Sequence, residues 1–231
     1  MLIVTAPRNY NLRVVECRLA ALLLHKALIA SGAADSAQVR TLSDVQRAAR
    51  NAPFNAMLAH VRSILHEGPY AVAEVASELG MTPEELVKQH MSAFRVDTSN
   101  GLALRDRALH VYAEAARVFA FRDVCSAAQG DALERLGQLM NDSQSDCRAH
   151  FNCSCAELDE LTALCRAEGA LGSRLTGAGW GGCTVSLVPE EKTAQFVESV
   201  RQKYYTGDRQ HKAKIAIFAT RPGNGAGILK L

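Results

Sequence analysis

The chain has 231 residues, which suggests one domain or two small ones, and 48% of them are hydrophobic, so a sizeable core can form. The net charge of +2 comes from intermixed acidic and basic residues, which argues against a nucleic-acid-binding surface or a membrane-surface helix. No apolar run has the length of a membrane span or of a signal-peptide core.

The first elements are predicted to be helical. Residues 1–5 read as the end of a strand, and Asn9 or Asn11 is a candidate N-cap for the first helix. A dense apolar pattern predicts that this helix covers residues 12–31 and that Gly32 ends it.

Several short helices are predicted between residues 41 and 93. Ser43 is a candidate N-cap for the first of them. Thr82, Pro83 and Glu85 form a capping-box pattern that starts the last. The predicted spans are 44–49, 54–65, 71–79 and 83–91.

Three longer helices are predicted next, over residues 102–121, 131–150 and 156–168. His110 lies on an apolar helix, so a hydrogen-bonded structural histidine is favoured over a catalytic one.

The periodicity then changes to that of strands. Residues 183–188 alternate like a strand, a helix is predicted from Pro189 to about Tyr204, and residues 214–220 alternate again. A turn over 222–225 leads to a closing strand, residues 227–231. Helices followed by a strand–helix–strand–strand tail predict one α+β domain with an antiparallel sheet.

The seven cysteines fit a reducing compartment, and we expect a cytoplasmic protein. Their number is odd and most lie in apolar helical patterns, which favours buried, reduced thiols. Cys153 and Cys155 form a C-x-C pair that lacks the spacing of zinc and redox sites. We therefore predict no metal site in this chain.

The stretch over residues 172–188, GSRLTGAGWGGCTVSLV, holds five glycines in its first eleven residues. Glycine permits positive φ and close approach of the backbone to a ligand, and successive N–H groups form an anion-binding concavity. The loop therefore either contacts a phosphate or makes a tight turn between two strands without a ligand. It is neither a Walker loop, since no Lys-Ser/Thr follows, nor a Rossmann G-x-G-x-x-G turn.

The same stretch closely resembles the third conserved motif of the GHMP kinase superfamily in its galactokinase form. Residues 13–18 and Trp180 resemble the eukaryotic branch, which includes N-acetylgalactosamine kinase. Further segments resemble galactokinases in the same order, so the resemblance covers nearly the whole chain. They are residues 9–21, 110–118, 136–148, 155–162 and 221–229.

The resemblance implies that residues 1–231 are the C-terminal domain of a two-domain kinase, with a helix-rich N-terminal part and a ferredoxin-like antiparallel sheet. Such kinases transfer the γ-phosphate of ATP, with Mg²⁺, to the C1 hydroxyl of galactose or a relative. The family's Arg-Glu-His-Asp segment, Gly/Ser-rich phosphate loop and catalytic aspartate have no counterpart in this sequence. We therefore expect the chain to begin after them, to hold no catalytic residue and to be inactive alone.

The resemblance also implies binding residues. Tyr10 matches a tyrosine that contacts the sugar; the alternative is that it only packs on the first helix. Arg174 could pair with a phosphate or with a carboxylate on the sheet, and the ion pair is favoured. The loop on the ATP-phosphate side of the cleft would be Thr176, Gly177, Ala178, Gly179, Trp180, Gly181 and Gly182.

Two places depart from the family pattern and bear on activity. Gln144 stands where a histidine is usual, and Ala149, His150 and Phe151 stand where an Asp-Tyr pair is usual. One alternative is therefore a non-catalytic galactokinase-like sensor that binds sugar and ATP and acts through a protein partner. Another is an isolated interaction module, whose exposed former domain interface around residues 2–15 would self-associate.

Overall fold

Helices make up most of the computed structural model. It describes residues 6–94, 96–127, 129–213, 215–221 and 223, with side chains from Asn9 onwards. The predicted strands at residues 1–5 and 227–231 lie outside the described residues, as does most of the predicted turn at 222–225. The helices are α1 Ala6–Ala30, α2 Leu42–Ala48, α3 Phe54–Ile64, α4 Val72–Leu79, α5 Pro83–Leu86 with a π-helical turn Val87–Met91, α6 Leu104–Ala127, α7 Ala132–Ala149, α8 Ala156–Ala167 and α9 Thr193–Tyr204.

Local capping fixes the start of the short helices. Thr41, not Ser43, caps α2: its hydroxyl accepts the Asp44 N–H at 3.2 Å, and the Asp44 carboxylate accepts the Thr41 N–H at 2.8 Å. The prediction of Ser43 was wrong because the reciprocal Thr-x-x-Asp pair satisfies two free N–H groups at once. The predicted capping box of Thr82 and Glu85 is confirmed.

The first helix begins earlier than predicted. Asn9 and Asn11 lie inside α1, so their assignment as caps was wrong. Pro7 falls in the first turn of α1, where a missing N–H leaves no helical hydrogen bond unmade.

The main hydrophobic core lies between α1 and helices α2 to α6. Leu19, Leu24 and Leu28 of α1 are almost fully buried in it. A smaller core between α8 and α9 contains Phe196 and Val200. A third cluster lies beneath the glycine-rich stretch; it contains Cys147, Cys153, Leu158 and Leu175, with Phe151, Cys155 and Trp180 packed against it.

The described strands form one antiparallel hairpin. Strand β1 (Gly172–Thr176) pairs with β2 (Cys183–Leu187), and Thr176 lies opposite Cys183 where the hairpin turns. The α+β class is therefore confirmed, with two strands of the expected ferredoxin-like sheet among the described residues.

The strand predicted over residues 214–220 is not found. Residues 207–212 form a 3₁₀ helix, and the described residues 215–221 are neither helix nor strand. Ile215 and Phe218 are 81% and 83% exposed, so the alternating pattern is not matched by a buried sheet face in the described part of the chain.

Helix α7 packs directly against β1. A Cβ atom on Gly137 would lie 2.5 Å from the Leu171 carbonyl oxygen, and one on Gly172 would lie 2.4 Å from the Gly137 carbonyl oxygen. Asn141, one turn further along α7, donates to the Leu171 carbonyl and accepts from the Ser173 N–H, each at 3.0 Å. These hydrogen bonds join Asn141 of α7 to the backbone at the start of β1, and they hold the hairpin against α7.

Candidate functional site

The glycine-rich loop joins β1 to β2 as residues 177–182, and most of it adopts left-handed backbone conformations. The non-glycine residue Trp180 also has a positive φ of 54°. These conformations strongly favour glycine, which explains the composition of the stretch. The φ angles of the glycines are 86° at Gly177, 85° at Gly179, 132° at Gly181 and 91° at Gly182.

One side of the loop is fixed to the connection between α7 and α8. The Trp180 N–H donates to the Cys153 carbonyl oxygen at 2.7 Å, and the Trp180 indole N–H donates to the Asn152 carbonyl oxygen at 3.0 Å. A Cβ atom on Gly179 would lie only 2.1 Å from the Cys153 carbonyl oxygen. The loop therefore sits against Cys153 at a distance that excludes any side chain at position 179.

The other side of the loop faces solvent. Thr176, Gly177, Ala178 and Gly182 are exposed, whereas Gly179, Trp180 and Gly181 are half-buried. The hairpin thus presents an accessible, left-handed backbone on a supported base, which is the arrangement in which successive N–H groups can bind an anion.

Arg174 is committed to an ion pair, as favoured by its sequence context, but its partner lies on a helix rather than on the sheet. Its guanidinium lies 2.8 Å from the Glu114 carboxylate of α6. Burial alone would raise the pKa of Glu114, yet hydrogen bonds from Ser143 and Arg117 and the charge of Arg174 hold that pKa below its ordinary value. Arg174 therefore anchors β1 to α6.

Gln144 joins three elements. Its side-chain amide donates to Ser154 at 3.2 Å and to Asp159 at 3.1 Å, and its carbonyl accepts the Leu175 N–H at 2.8 Å. Gln144 is buried, and it connects α7, the start of α8 and β1.

Tyr10 is accessible on α1. Its side chain is 55% exposed. None of the contacts recorded for the described residues joins Tyr10 to the glycine-rich loop, and its role in sugar binding stays a prediction.

His110 is buried on α6, and the hydrogen bond predicted for its ring is not found at Nδ1 among the described residues. Its ring stacks on Phe151 with centroids 4.5 Å apart, and its Nδ1 is buried without a hydrogen-bond partner among the described residues. Burial lowers the pKa of His110 to about 4. The ring is therefore neutral at pH 7.

Because the pKa of His110 is depressed in the folded state to about 4, its contribution to stability should depend on pH. This contribution is fully present above the unfolded pKa of about 6.5. It is lost as the pH falls towards 4, and the full loss lowers the free energy of unfolding by about 3 kcal/mol. Urea unfolding of the wild type and of His110→Phe, at pH 7 and near pH 4.5, measures this loss. The variant should lose less stability than the wild type over this range; equal losses would contradict the assignment.

The sequence reasoning missed a buried cluster of charges. Arg13, Glu16 and Arg107 are 6%, 1% and 5% exposed. The sequence signal for this cluster was the position of Glu16, a charged residue between Val15 and Cys17 in the apolar run of α1.

Two global features of the described residues concern metals and membranes. They contain no group of three or more His, Cys, Asp or Glu side chains that could hold a metal ion. Their helices include none that is both long enough and apolar enough to cross a bilayer.

Comparison with known proteins finds relatives by sequence and, separately, a similar fold. Residues 126–206 match the family model described as GHMP kinases C terminal. The galactokinase of Dictyostelium discoideum is 39% identical over 222 residues, which are 88% of this chain and 43% of that protein. The galactokinase of Candida parapsilosis is 32% identical over 249 residues, covering 98% of this chain and 49% of that protein.

A solved structure has a similar fold. The galactokinase of Lactococcus lactis, crystallised with galactose, aligns with a TM-score of 0.55 over 85% of this chain and 37% of that one, at 22% identity. The chain spans about half the length of the curated relatives it matches. Residues 126–206 are thus similar to the C-terminal region of GHMP kinases, and most of the chain is similar in sequence to proteins that are galactokinases.

Proposed function

We propose that residues 1–231 form the C-terminal domain of a galactokinase-like sugar kinase, which uses ATP to phosphorylate the C1 hydroxyl of galactose. The observation that carries this proposal is the glycine-rich hairpin, fixed on one side by Cys153 and open on the other, in a chain homologous to galactokinases. Phosphoryl transfer depends mainly on positioning and on stabilising negative charge. The loop would supply backbone contact on the phosphate side and would transfer no proton.

The sugar side of the cleft would include Tyr10. Its exposed ring offers an apolar face and a hydroxyl to a sugar. Galactose is the first candidate because it is the ligand in the similar Lactococcus lactis structure. N-acetylgalactosamine is the second candidate, from the resemblance of residues 13–18 and Trp180 to the eukaryotic branch.

ATP and Mg²⁺ would be held mainly by the half of a galactokinase that the aligned residues do not cover. The described residues offer no cluster of carboxylates for Mg²⁺, so we assign it to none of them. Galactokinases act on a small soluble sugar, and we propose a cytoplasmic protein without nucleic-acid partners. We also propose self-association through the surface around residues 2–15. In that stretch Tyr10 is exposed, Val15 is fully buried, and residues 2–5 lie outside the described part of the chain.

The test is to join the chain to the N-terminal part of the Dictyostelium discoideum galactokinase and to measure ATP-dependent formation of sugar 1-phosphate. The joined protein should turn over galactose faster than N-acetylgalactosamine, and the chain alone should show no turnover. Turnover by the chain alone would overturn the domain assignment. Binding of sugar and ATP by a folded joined protein without turnover would overturn the kinase and favour the sensor.

A further inference from the structure

Four consecutive carbonyl groups in the connection between α7 and α8 are held by side chains or backbone from elsewhere. The His150 carbonyl accepts from Arg107, and the Phe151 carbonyl accepts from Arg13 at 3.1 Å. The next two, on Asn152 and Cys153, accept from the indole and backbone N–H groups of Trp180. The segment 150–153 thus lies between two buried arginines and the glycine-rich loop.

The arginines are themselves fixed by one carboxylate. Glu16 accepts from the Arg107 Nε at 2.8 Å and from the Ala103 N–H at 2.9 Å, and it lies 2.7 Å from the Arg13 Nε as an ion pair. The cluster buries two positive charges and one negative charge, an arrangement that is expensive to desolvate and is weak evidence for stability alone. Its geometry instead fixes the directions of both guanidinium groups.

The segment 150–153 also makes hydrogen bonds back to α7, since the His150 and Phe151 N–H groups both donate to the Asp146 carbonyl at 2.9 Å. Asn152 adopts a left-handed conformation with φ of 51°, which is uncommon for a residue with a side chain. The Cys153 N–H returns to the Cys147 carbonyl at 2.9 Å, so the segment leaves α7 and turns back on it. A change in the direction of the first two carbonyls would therefore shift the last two, and with them Trp180.

We propose that Arg13 and Arg107 are positioning residues for the glycine-rich loop. Through the carbonyls of His150 and Phe151 they fix segment 150–153, and that segment fixes Trp180. Arg13 lies one turn after Tyr10 on α1, so the same helix would set both the sugar side and the phosphate side of the cleft. The consequence for turnover rests on the proposed function; the consequence for Trp180 does not.

Trp180 is the single tryptophan of the chain, so its fluorescence reports on the loop directly. The variant Arg13→Met keeps an apolar stem, removes the donor to the Phe151 carbonyl and leaves Glu16 paired with Arg107. In the chain itself we expect Trp180 emission at longer wavelength and stronger quenching by acrylamide under native conditions. If Arg13→Met does not fold, Arg13→Lys takes its place, because lysine keeps the charge but lacks the planar fork of donors.

The matched control is Tyr112→Phe. It removes another buried hydrogen bond of the same helical body, from the Tyr112 hydroxyl to the Leu42 carbonyl at 2.7 Å, and it should leave Trp180 fluorescence unchanged. An equal change of fluorescence in the control would show general loosening and would overturn the proposal. Unchanged fluorescence in a folded Arg13 variant would overturn it as well.

The protein joined to the Dictyostelium discoideum N-terminal part tests the consequence for turnover. Displacement of a positioned group by about 1 Å can lower the rate on the order of 100-fold, so Arg13→Met should lower kcat while the KM for galactose stays the same. A fluorescence change without a fall in kcat would overturn the positioning role in catalysis. If the joined protein is not a kinase, the fluorescence test of Trp180 is unaffected. Failure of the kinase proposal and failure of the positioning proposal are therefore distinguishable.

Discussion

Replacing Glu16 with glutamine is expected to lower the free energy of unfolding by about 3–5 kcal/mol, because it leaves two buried positive charges without a counter-charge. Arg13 and Arg107 both lie within 2.8 Å of the Glu16 carboxylate, whose side chain is 1% exposed. Burial already lowers the pKa of Arg13, which shows that the surroundings disfavour its charged form. Urea unfolding at pH 7 measures the change.

Glu198→Gln is the matched control for Glu16→Gln. Glu198 also pairs with an arginine, Arg201, at 2.6 Å, but its side chain is 53% exposed. Exposed pairs of this kind contribute little, so the control should unfold with the wild type. A similar, small effect of both substitutions would contradict the importance assigned to the buried cluster.

Gly137→Ala is expected to destabilise the protein by about 2–3 kcal/mol, since the added methyl group overpacks the contact between α7 and β1. In an ordinary helix interior the same substitution stabilises by about 0.5–1 kcal/mol. Here the new Cβ would lie 2.5 Å from the Leu171 carbonyl oxygen and 2.6 Å from the Leu171 carbonyl carbon, both of which are backbone atoms of the connection leading into β1. Thermal or urea unfolding measures whether Gly137→Ala lowers or raises the free energy of unfolding.

Gly130→Ala provides the comparison. A Cβ atom on Gly130 would meet no heavy atom within 4 Å, and no positive φ is recorded for it. We therefore expect stability at or slightly above that of the wild type. If Gly137→Ala were equally neutral, α7 and β1 would not be in close backbone contact.

Local signals in the sequence predicted most of the helices. The capping pattern of Thr82 and Glu85 and the glycine after α4, Gly80, each act within a few residues, so they can be read without the fold. Ser43 was a wrong choice because Thr41 also matched the pattern, with Asp44 three residues later. The alternation over residues 214–220 predicted a strand, yet alternation indicates a strand only where a sheet is available to bury one face.

The candidate site also has one part that could be predicted from the sequence and one part that could not. The glycine-rich loop was predictable because its backbone conformations favour glycine locally, whereas its role beside the ATP phosphates rests on the resemblance and stays a proposal. The buried charge cluster was not, because its contacts join residues far apart: Arg13 and Phe151 are separated by 138 positions, and Glu16 and Arg107 by 91. Such partners can be identified only once the helices are packed.

The loop's proposed place beside the ATP phosphates is tested most directly by Ala178→Asp in the joined protein. Ala178 is exposed, so an aspartate there should leave the free energy of unfolding unchanged while placing a negative charge next to the phosphates. Ala194→Asp is the control, an exposed alanine in the first turn of α9, where a carboxylate is favourable. We predict that Ala178→Asp raises the KM for ATP and lowers turnover while Ala194→Asp changes neither; equal, wild-type turnover in both variants would contradict the account.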